Sequence, residues 1–301
     1  MKTAVAMLIF NRPDLTRRVF EQVRLARPQK LLIVADGPRP ERSGENELCA
    51  RTREVFDAVD WQCQVSTNYA AQNMGCRERV SSGINWVFDQ VGEAIILEDD
   101  CLPDPSFFPY CEELLARYRD DKRIMGLSGV NFRRRPARSQ DSYSFSRYMH
   151  VWGWASWSRA WQYYDVNAQL WPELRDGGWL EDVLSDRRAV SYWTRIYQDV
   201  YDGLIDTWDY QWQLTVWLQN GLVALPNRNL ISNIGFSAGA THTTQNSPLA
   251  NLPLQALELP IRHPRWIIRN SVADAASQNE VYNPGLLRRI ERRLQRSLSL
   301  L

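Results

Sequence analysis

The chain predicts an α/β fold in which a mixed, mainly parallel sheet is flanked by helices. Short apolar runs at 3–10, 30–35 and 61–67 are separated by segments with helical spacing at 15–25 and 41–59. Such short runs are typical of strands buried in a sheet, and a spacing of about 3.6 residues is typical of amphipathic helices. Strands that alternate with helices in this way predict parallel pairing through right-handed crossovers.

The stretch at 94–108 carries the strongest functional signal. Four apolar residues predict a buried strand, and the carboxylates of Glu98, Asp99 and Asp100 follow directly. Adjacent carboxylates repel one another, and a cation between them relieves this repulsion. Oxygen ligands suit Mn²⁺ or Mg²⁺, and these ions bind phosphates. We therefore expect a metal–phosphate site at the carboxyl end of a strand; the alternative is an acidic loop that only caps a helix.

Two aspartates are expected to cap helices. Asp104 precedes a predicted helix at 106–119, with Pro105 in its first turn. Asp14 stands before the predicted helix at 15–25 in the same way.

Two turns upstream of the acids have the composition of ligand-binding turns. Asp36 ends the second strand, where an acid accepts hydrogen bonds from a ribose or base in mononucleotide-binding folds. An ordinary turn aspartate before glycine is the equal alternative. The turn Asn73-Met74-Gly75 opens a helix to about residue 90, so its free amides favour an anion, and Arg77 and Arg79 add cations that suit phosphates.

The second half of the chain is rich in aromatic residues. Ten of the 13 tryptophans lie in the segment 152–217. We expect most of these rings to form core and some, around Trp152 and Trp154, to line a sugar subsite. Trp208 and Asp209 begin a helix that ends near residue 220, so Asp209 is either stabilised by the helix dipole or a general base held between aromatic rings.

The bulk composition limits the partners and the location. The 301 residues suffice for one large domain or two small ones, and the net charge of +1 gives no sign of nucleic-acid binding. There is no apolar run of about 18 residues and no signal-peptide pattern at the N-terminus. The five cysteines lack CxxC spacing, which favours free thiols and a cytoplasmic protein.

Two features near the C-terminus have competing interpretations. His242 lies in a loop of small residues and is a metal ligand, a phosphate contact or an ordinary loop histidine. The tail at 286–301 has leucine or isoleucine at four-residue spacing and five arginines against one glutamate. This predicted basic amphipathic helix has two interpretations. It lies on an anionic membrane surface, as in a peripheral protein on the inner face of the membrane, or it packs on the body of the protein.

Four segments resemble the GT-A fold glycosyltransferases, in particular N-acetylglucosaminyltransferase I and related bacterial nucleotide-sugar transferases. The Glu98-Asp99-Asp100 motif with the Pro-x-Phe-Phe that follows it is the most specific of these matches. The other matching segments are 3–12 with 30–37, 73–90, and 152–161 with 208–212. The resemblance covers 1–245 and implies a nucleotide-sugar-binding half at 1–131, an acceptor and catalytic half at 143–245 and a C-terminal extension at 246–301.

The resemblance implies a metal-dependent, inverting transfer of a sugar from a nucleotide-sugar to a hydroxyl of a glycan or lipid-linked acceptor. The implied donor is UDP-linked, such as UDP-GlcNAc, and the cofactor Mn²⁺ or Mg²⁺ is held by Asp100 and His242. Asp209 is the implied base, although Asp209-Tyr210 stands where the family has an acidic pair. The implied donor contacts are Asn11, Arg12, Asp36, Asn73, Arg77, Arg79, Glu98 and Asp99, and the implied acceptor side is Trp152, Trp154 and Trp208.

Two other functions fit parts of the same pattern. A sugar-phosphate nucleotidyltransferase has a similar sheet and metal-binding acids, but it usually carries a glycine-rich loop where this chain has 11–14, Asn-Arg-Pro-Asp. A non-catalytic sugar-binding module on a degenerate transferase fold is the second alternative. The intact acids at 98–100 and 209 disfavour that module.

Overall fold

The structure, a computed structural model, describes residues 1–132, 140–236 and 249–282. Within these ranges the chain forms ten strands and ten α-helices, with a short 3₁₀ turn after α2 and a π-helical turn after α10. The strands are β1 (Ala4–Ile9), β2 (Lys30–Ala35), β3 (Gln64–Tyr69), β4 (Glu93–Glu98), β5 (Cys101–Pro103), β6 (Ile124–Ser128), β7 (Tyr143–Ser146), β8 (Trp154–Trp157), β9 (Leu222–Pro226) and β10 (Ile231–Asn233). The helices are α1 (Pro13–Ala26), α2 (Glu45–Glu54), α3 (Cys76–Gln90), α4 (Phe107–Tyr118), α5 (Ser158–Trp161), α6 (Trp171–Asp176), α7 (Trp179–Val183), α8 (Arg187–Tyr201), α9 (Asp209–Leu218) and α10 (Ser271–Ser277).

Eight of these strands form one sheet in the order β3-β2-β1-β4-β8-β6-β9-β7. The first four strands pair in parallel, as do β6 and β9. Strand β8 is antiparallel to both β4 and β6 and thereby joins the two halves of the sheet. The predicted α/β class, a Rossmann-like, mainly parallel sheet of the type that the GT-A resemblance implies, is confirmed by this topology.

The central strands are buried on both faces. Alternate residues of β1, such as Val5 and Met7, belong to a core cluster with Phe20 of α1 and Leu114 of α4. The intervening residues of β1 belong to a second cluster with α3 and α9. Because these strands are buried on both faces, their sequences are continuous runs of apolar residues.

Most of the tryptophans contribute to the core, as expected. A third cluster packs α6, α7, α8 and α9 against one another around the rings of Trp171, Trp193, Tyr197 and Trp217. The ring centroids of Trp193 and Trp217 are 5.0 Å apart in an edge-to-face arrangement, which is a favourable geometry for aromatic pairs. This cluster gives α9 a fixed position relative to the sheet.

Both predicted helix caps are wrong. Helix α1 begins at Pro13, with Arg12 in the capping position, because the fixed φ of proline suits the first helical turn. Helix α4 begins at Phe107 with Ser106 in the capping position, so Pro105 lies outside its first turn. Asp104 Oδ1 accepts a hydrogen bond from the Ser106 amide at 2.9 Å and so closes a turn before the helix.

A small second sheet covers the end of β4. Strands β5 and β10 pair antiparallel, and the amide of Ile234 donates a hydrogen bond of 2.8 Å to the carbonyl oxygen of Asp100. No pattern in the sequence predicts this three-residue pairing. In the described ranges, no helix combines the length and the apolar character needed to span a membrane.

Candidate active site

A cavity of about 370 Å³ opens at the carboxyl ends of β1, β2 and β4. Its walls also include the start of α3 and the segment at 206–209, which leads into α9. This is the edge at which open α/β sheets bind ligands, because the loops that leave parallel strands diverge there. The volume lies within the usual range for small-molecule sites.

Carboxyl groups outnumber cations around this cavity. The described residues that line it carry six carboxyl groups and three guanidinium groups. Such an excess of like charge is tolerated where a further cation binds or where some of the acids take up protons. The acids are Asp36, Glu98, Asp99, Asp100, Asp206 and Asp209, and the cations are Arg12, Arg39 and Arg79.

The guanidinium group of Arg12 binds two of the three consecutive acids. Its Nε and Nη2 atoms donate to the two carboxylate oxygens of Asp99, and its Nη1 lies 3.0 Å from Asp100 Oδ2. Burial alone would lower the pKa of Arg12, but the charges of Asp99 and Asp100 raise it above its ordinary value. The side chain therefore stays charged and neutralises part of the acidic motif.

Asp100 is enclosed by the loop that follows β10. Its Oδ1 accepts a hydrogen bond of 3.3 Å from Asn233 Nδ2. A Cβ atom on Gly235 would lie 2.2 Å from Asp100 Oδ2, so the close approach of this loop requires glycine. The loop holds the Asp100 carboxylate in one orientation. In this orientation Oδ2 accepts a hydrogen bond from Arg12, and the side chain lines the cavity.

Glu98, the last residue of β4, is the acid of the motif that Arg12 does not bind. Its carboxylate accepts no hydrogen bond from the described residues, and it lines the cavity. Burial and the neighbouring charges of Asp100 and Asp99 raise the pKa of Glu98. A cation bound in the cavity would therefore stabilise the ionised form of Glu98.

The described residues fit a divalent metal ion in part. Glu98 and Asp100 supply oxygen donors of the right chemistry, but no group of three or more His, Cys, Asp and Glu side chains within 1–132, 140–236 and 249–282 is arranged to hold a metal ion. Where a protein supplies only one or two carboxylates, phosphate oxygens of the ligand usually complete the coordination of the metal ion. His242, the second predicted ligand, lies outside the described residues.

Asp36 and Asn73 lie together at the end of β2. Asp36 accepts hydrogen bonds from Asn73 Nδ2 at 2.8 Å and from the amides of Gly37 and Met74 at 2.8 and 2.9 Å. Burial raises the pKa of Asp36 although these donors oppose the shift. The two predicted donor contacts thus share one hydrogen-bonded turn at the cavity wall.

The amides at the start of α3 are capped by the protein itself. The Asp206 carboxylate accepts hydrogen bonds from the amides of Cys76 at 3.1 Å and Arg77 at 3.0 Å. The expectation that these amides are free for a ligand anion is therefore wrong in this structure. Arg79 donates to the carbonyl oxygen of Ala35 at 3.1 Å, and the Nε of Arg77 lies 3.4 Å from Glu78.

Asp209 is the first residue of α9 and lines the cavity. It accepts a hydrogen bond from the Thr207 hydroxyl, and its charge contributes to the raised pKa of Glu98. Trp152 and Trp208 line the cavity beside it, whereas Trp154 is fully buried with its ring centroid 5.7 Å from that of Trp208.

Two predicted donor contacts, Asn11 and Arg77, are not in the cavity wall, and three charged or amide side chains in that wall were not predicted. Asn11 Nδ2 donates to Glu45 Oε1 at 2.9 Å and is not among the lining residues. Arg39, Asp206 and Asn233 line the cavity without having been assigned a role in it. For Arg39 a signal existed, because it follows the turn at the carboxyl end of β2.

Comparisons with known proteins found partial structural similarity and no related sequence. No protein-family model matches the chain, and no curated protein matches its sequence. Part of the fold is similar to S. aureus TarS, residues 1–349, with a TM-score of 0.44 and 11% identity over 77% of this chain and 59% of that chain. The mannosyltransferase PcManGT from Pyrobaculum calidifontis, in complex with GDP-Man and Mn²⁺, has a TM-score of 0.35 and 14% identity over 52% of this chain and 45% of that chain.

The similar structures also include the 4-diphosphocytidyl-2C-methyl-D-erythritol synthase of Anaerococcus prevotii, with a TM-score of 0.33 and 7% identity over 52% of this chain and 71% of that chain. The chain thus spans less than two thirds of TarS and of the mannosyltransferase. At these TM-scores the similarity assigns no function.

Proposed function

We propose that the protein is a glycosyltransferase that moves a sugar from a nucleotide-sugar to an acceptor hydroxyl. The observation that carries this proposal is the cavity at the carboxyl edge of the sheet, where Glu98, Asp99 and Asp100 meet Arg12 on one side and Asp209 on the other. A donor with a charged diphosphate and a neutral sugar suits a cavity with cation-binding acids at one wall and aromatic rings at another.

The diphosphate of the donor would lie against Arg12 and the acidic motif. Arg12 donates its N–H groups toward Asp99 and Asp100, and the Asp99 carboxylate fixes the plane of its guanidinium. Glu98 and Asp100, with phosphate oxygens, would hold Mn²⁺ or Mg²⁺. When bound, such an ion neutralises the negative charge that develops on a leaving diphosphate.

The nucleoside would lie toward β2, next to Asp36 and Asn73. Their mutual hydrogen bond fixes both side chains before a ligand arrives, and Asp36 lies in a turn of three donors. We propose a uridine nucleotide here, as the resemblance implies. A fixed, buried acid at this position suits a ribose hydroxyl or a base N–H as its partner.

Asp209 would act as the general base. The Thr207 hydroxyl orients its carboxylate, and Trp152 and Trp208 limit water access beside it. A carboxylate that takes the proton from an acceptor hydroxyl as its oxygen attacks the anomeric carbon gives a single displacement with inversion. The acceptor would be a glycan or lipid-linked sugar packed on the two rings.

Calorimetric titration tests the donor site. UDP and, separately, GDP are titrated into wild-type protein and into Asp100→Asn, each with and without Mn²⁺. We expect Mn²⁺-dependent binding of UDP that is lost in the Asp100 variant, while Asp57→Asn, which changes an exposed acid of the same charge, keeps it. No binding of either nucleotide under any condition would refute the proposal.

Product analysis separates the transferase from the nucleotidyltransferase. Incubation with UDP-GlcNAc and Mn²⁺ is expected to release UDP slowly, since water replaces the missing acceptor. Formation of UTP from UDP-GlcNAc and pyrophosphate would instead identify a sugar-phosphate nucleotidyltransferase. Membrane contact through 286–301 stays a prediction, because that segment lies outside the described residues.

A further inference from the structure

A second cavity lies between α6, α7 and the C-terminal end of α9. Its volume is about 270 Å³, and most of the side chains in its wall are apolar. Leu180, Leu214 and Trp217 in this wall are each less than 10% exposed, whereas Trp179 and Leu218 are 52% and 36% exposed. The cavity is therefore an apolar depression with an exposed, apolar rim.

The helices around this cavity carry an excess of acid. Helices α6 and α7 together hold four carboxyl groups and one guanidinium group, and acids still outnumber cations when the half-buried Arg147 of the cavity wall is included. Asp176 pairs with Arg175. The other three acids are exposed and form no ion pair within the described ranges; they are Glu173, Glu181 and Asp182. An occupant with both apolar and cationic side chains therefore suits this surface.

The chain itself contains a segment of this character. Residues 286–301 lie outside the described residues, and their sequence combines apolar residues at four-residue spacing with five arginines. The apolar positions are Leu286, Ile290, Leu294 and Leu298, and the arginines are Arg288, Arg289, Arg292, Arg293 and Arg296. Because residues four apart share one face of a helix, this sequence predicts an apolar face with basic flanks. Such a helix is complementary to the cavity in both polarity and charge.

The last described residue brings the chain close to the cavity. The ring centroid of Tyr282 is 4.9 Å from that of Trp193, which is 5.0 Å from that of Trp217 in the cavity wall. The rings of Tyr282 and Trp217 are thus within about 10 Å of each other. The four residue steps from Tyr282 to Leu286 span up to about 13–14 Å when extended. Residues 286–301 can therefore reach the cavity of their own chain.

We propose that the segment 286–301 binds in this cavity as an amphipathic helix, with its apolar face on Trp179, Leu180 and Trp217 and its arginines opposite the acids of α6 and α7. The competing occupants are an anionic membrane and a second copy of the chain. The acids favour the segment over the membrane, because they repel anionic lipid headgroups. Asp209 and Leu218 mark opposite ends of α9, about 13 Å apart at 1.5 Å per residue, so this cavity is separate from the candidate active site.

Tryptic cleavage of the full-length chain tests the proposal. Trypsin cuts after arginine, and mass spectrometry measures the rate at the five arginines of the segment 286–301. A docked segment is cut only in the fraction of molecules from which it has dissociated. We expect Trp179→Ala, at the exposed rim, and Ile290→Ser, on the apolar face of the segment, each to raise this rate about tenfold.

Matched controls and a charge variant make the test specific. Trp266→Ala changes another exposed tryptophan that is not in the cavity wall, and Gln295→Ser changes the segment outside its apolar face. Both should leave the cleavage rate within about twofold of wild type. The double variant Glu181→Gln with Asp182→Asn should raise the rate, and its difference from wild type should shrink as salt screens the charges.

Three outcomes would overturn the proposal. The first is a cleavage rate that is the same in wild type, Trp179→Ala and Ile290→Ser. The second is protection that rises with protein concentration, which indicates docking on a second copy of the chain. The third is protection that appears only when anionic vesicles are added, which indicates that the segment binds a membrane instead.

Discussion

Arg12 is the side chain on which the geometry of the acidic motif depends. It binds both oxygens of Asp99, which is almost fully buried, and one oxygen of Asp100. A buried ion pair gains little over an apolar pair, but removing one partner leaves an uncompensated charge. Arg12 is therefore a structural cation as well as a candidate ligand for phosphate.

Replacing Arg12 by Met is expected to destabilise the protein by about 3–5 kcal/mol, because Asp99 would be left buried and unpaired. Urea unfolding at neutral pH measures the loss. The double variant Arg12→Met with Asp99→Asn is the control, since it removes the stranded charge and should recover a large part of the stability. If the double variant is as unstable as the single one, the ion pair is not the cause.

Asp209→Asn tests the proposed base. The change keeps the shape of the side chain but removes its ability to accept a proton, so kcat should fall by about 10²–10⁴-fold. Nucleotide affinity, measured by titration with UDP, should stay within about twofold, since the proposed nucleotide contacts lie across the cavity. A fall in kcat of less than about tenfold would assign the base to another group.

Glu45 makes stability depend on pH in the acid range. It is 4% exposed and accepts hydrogen bonds from Arg39 and Asn11. Hydrogen bonds from the Arg39 side chain are the main cause that lowers the pKa of Glu45 from 4.5 to about 2. A carboxylate whose pKa is lower in the folded state stabilises the fold above its unfolded pKa and loses that contribution as the pH falls toward the folded value.

The free energy of unfolding of wild type should therefore exceed that of Glu45→Gln by up to about 3 kcal/mol near neutral pH. The difference should shrink between about pH 4.5 and pH 2 as the carboxylate takes up a proton. Urea unfolding over this pH range measures it. Glu47→Gln, an exposed change in the same helix, is the matched control, and a difference between wild type and Glu45→Gln that does not vary with pH would contradict the assignment.

At the scale of elements, α3 and α9 are connected by a capping carboxylate. Asp206 lies just before α9 in the chain but accepts from the first amides of α3. These amides carry the positive end of the helix dipole, so a carboxylate is the favoured partner there. The cap ties the segment that carries Asp209 to the wall of the cavity that carries Asn73.

Asp206→Ala should lower the free energy of unfolding by about 0.5–2 kcal/mol through loss of this cap. The matched control is Asp57→Ala, at an exposed acid where no side chain caps the short 3₁₀ turn that contains it. The same variant frees the amides of α3, so inorganic phosphate should bind Asp206→Ala more tightly than wild type. An unchanged affinity for phosphate would mean that these amides are not an anion site.

The sequence predicts the buried parallel strands well and the short or edge strands poorly. Strand β2 matches its predicted bounds, because continuous apolar residues identify a strand covered on both faces. Strand β3, at the sheet edge, spans Gln64–Tyr69 rather than 61–67, because polar residues alternate along it and mark its ends less clearly than continuous apolar residues do. Strands β5, β7, β8 and β10 were missed, because three or four residues pair through tertiary contacts that no periodicity reveals.

The candidate site was predictable in part for the same reason. Residues that follow a buried strand, such as Asp36 and Asp100, were found because parallel strands end at one edge of the sheet. The cap by Asp206 on α3 and the ion pair of Arg12 with Asp99 were not, because each joins residues about 90 to 130 positions apart. Local patterns do not specify such pairs.

At the scale of the whole molecule, the two halves share one sheet. Strand β8 pairs with β4 of the first half and with β6, and α9 packs into the same core cluster as β1 and α3. Since β8 and β9 of the second half flank β6 of the first half in this sheet, we expect the two halves to unfold together. The boundary predicted near 131–143 then separates regions of sequence rather than independent folding units.

Urea unfolding followed by two probes tests this expectation. Tryptophan fluorescence reports mainly on the second half, which holds ten of the 13 tryptophans, and far-UV circular dichroism reports on the whole chain. The two curves should coincide with one midpoint. Two separated transitions would show that the halves fold independently.

The position of β8 in the sheet has a consequence for synthesis on the ribosome. The free edge of β4 is covered by β8, whose first residue Trp154 follows Glu98 by 56 positions. At about 5–20 residues per second, the nascent chain presents the apolar edge of β4 for about 3–11 s before its partner emerges. An unpaired strand edge of this kind recruits other chains, so the yield of soluble protein should depend on translation speed and chaperone supply more than on the stability of the finished fold.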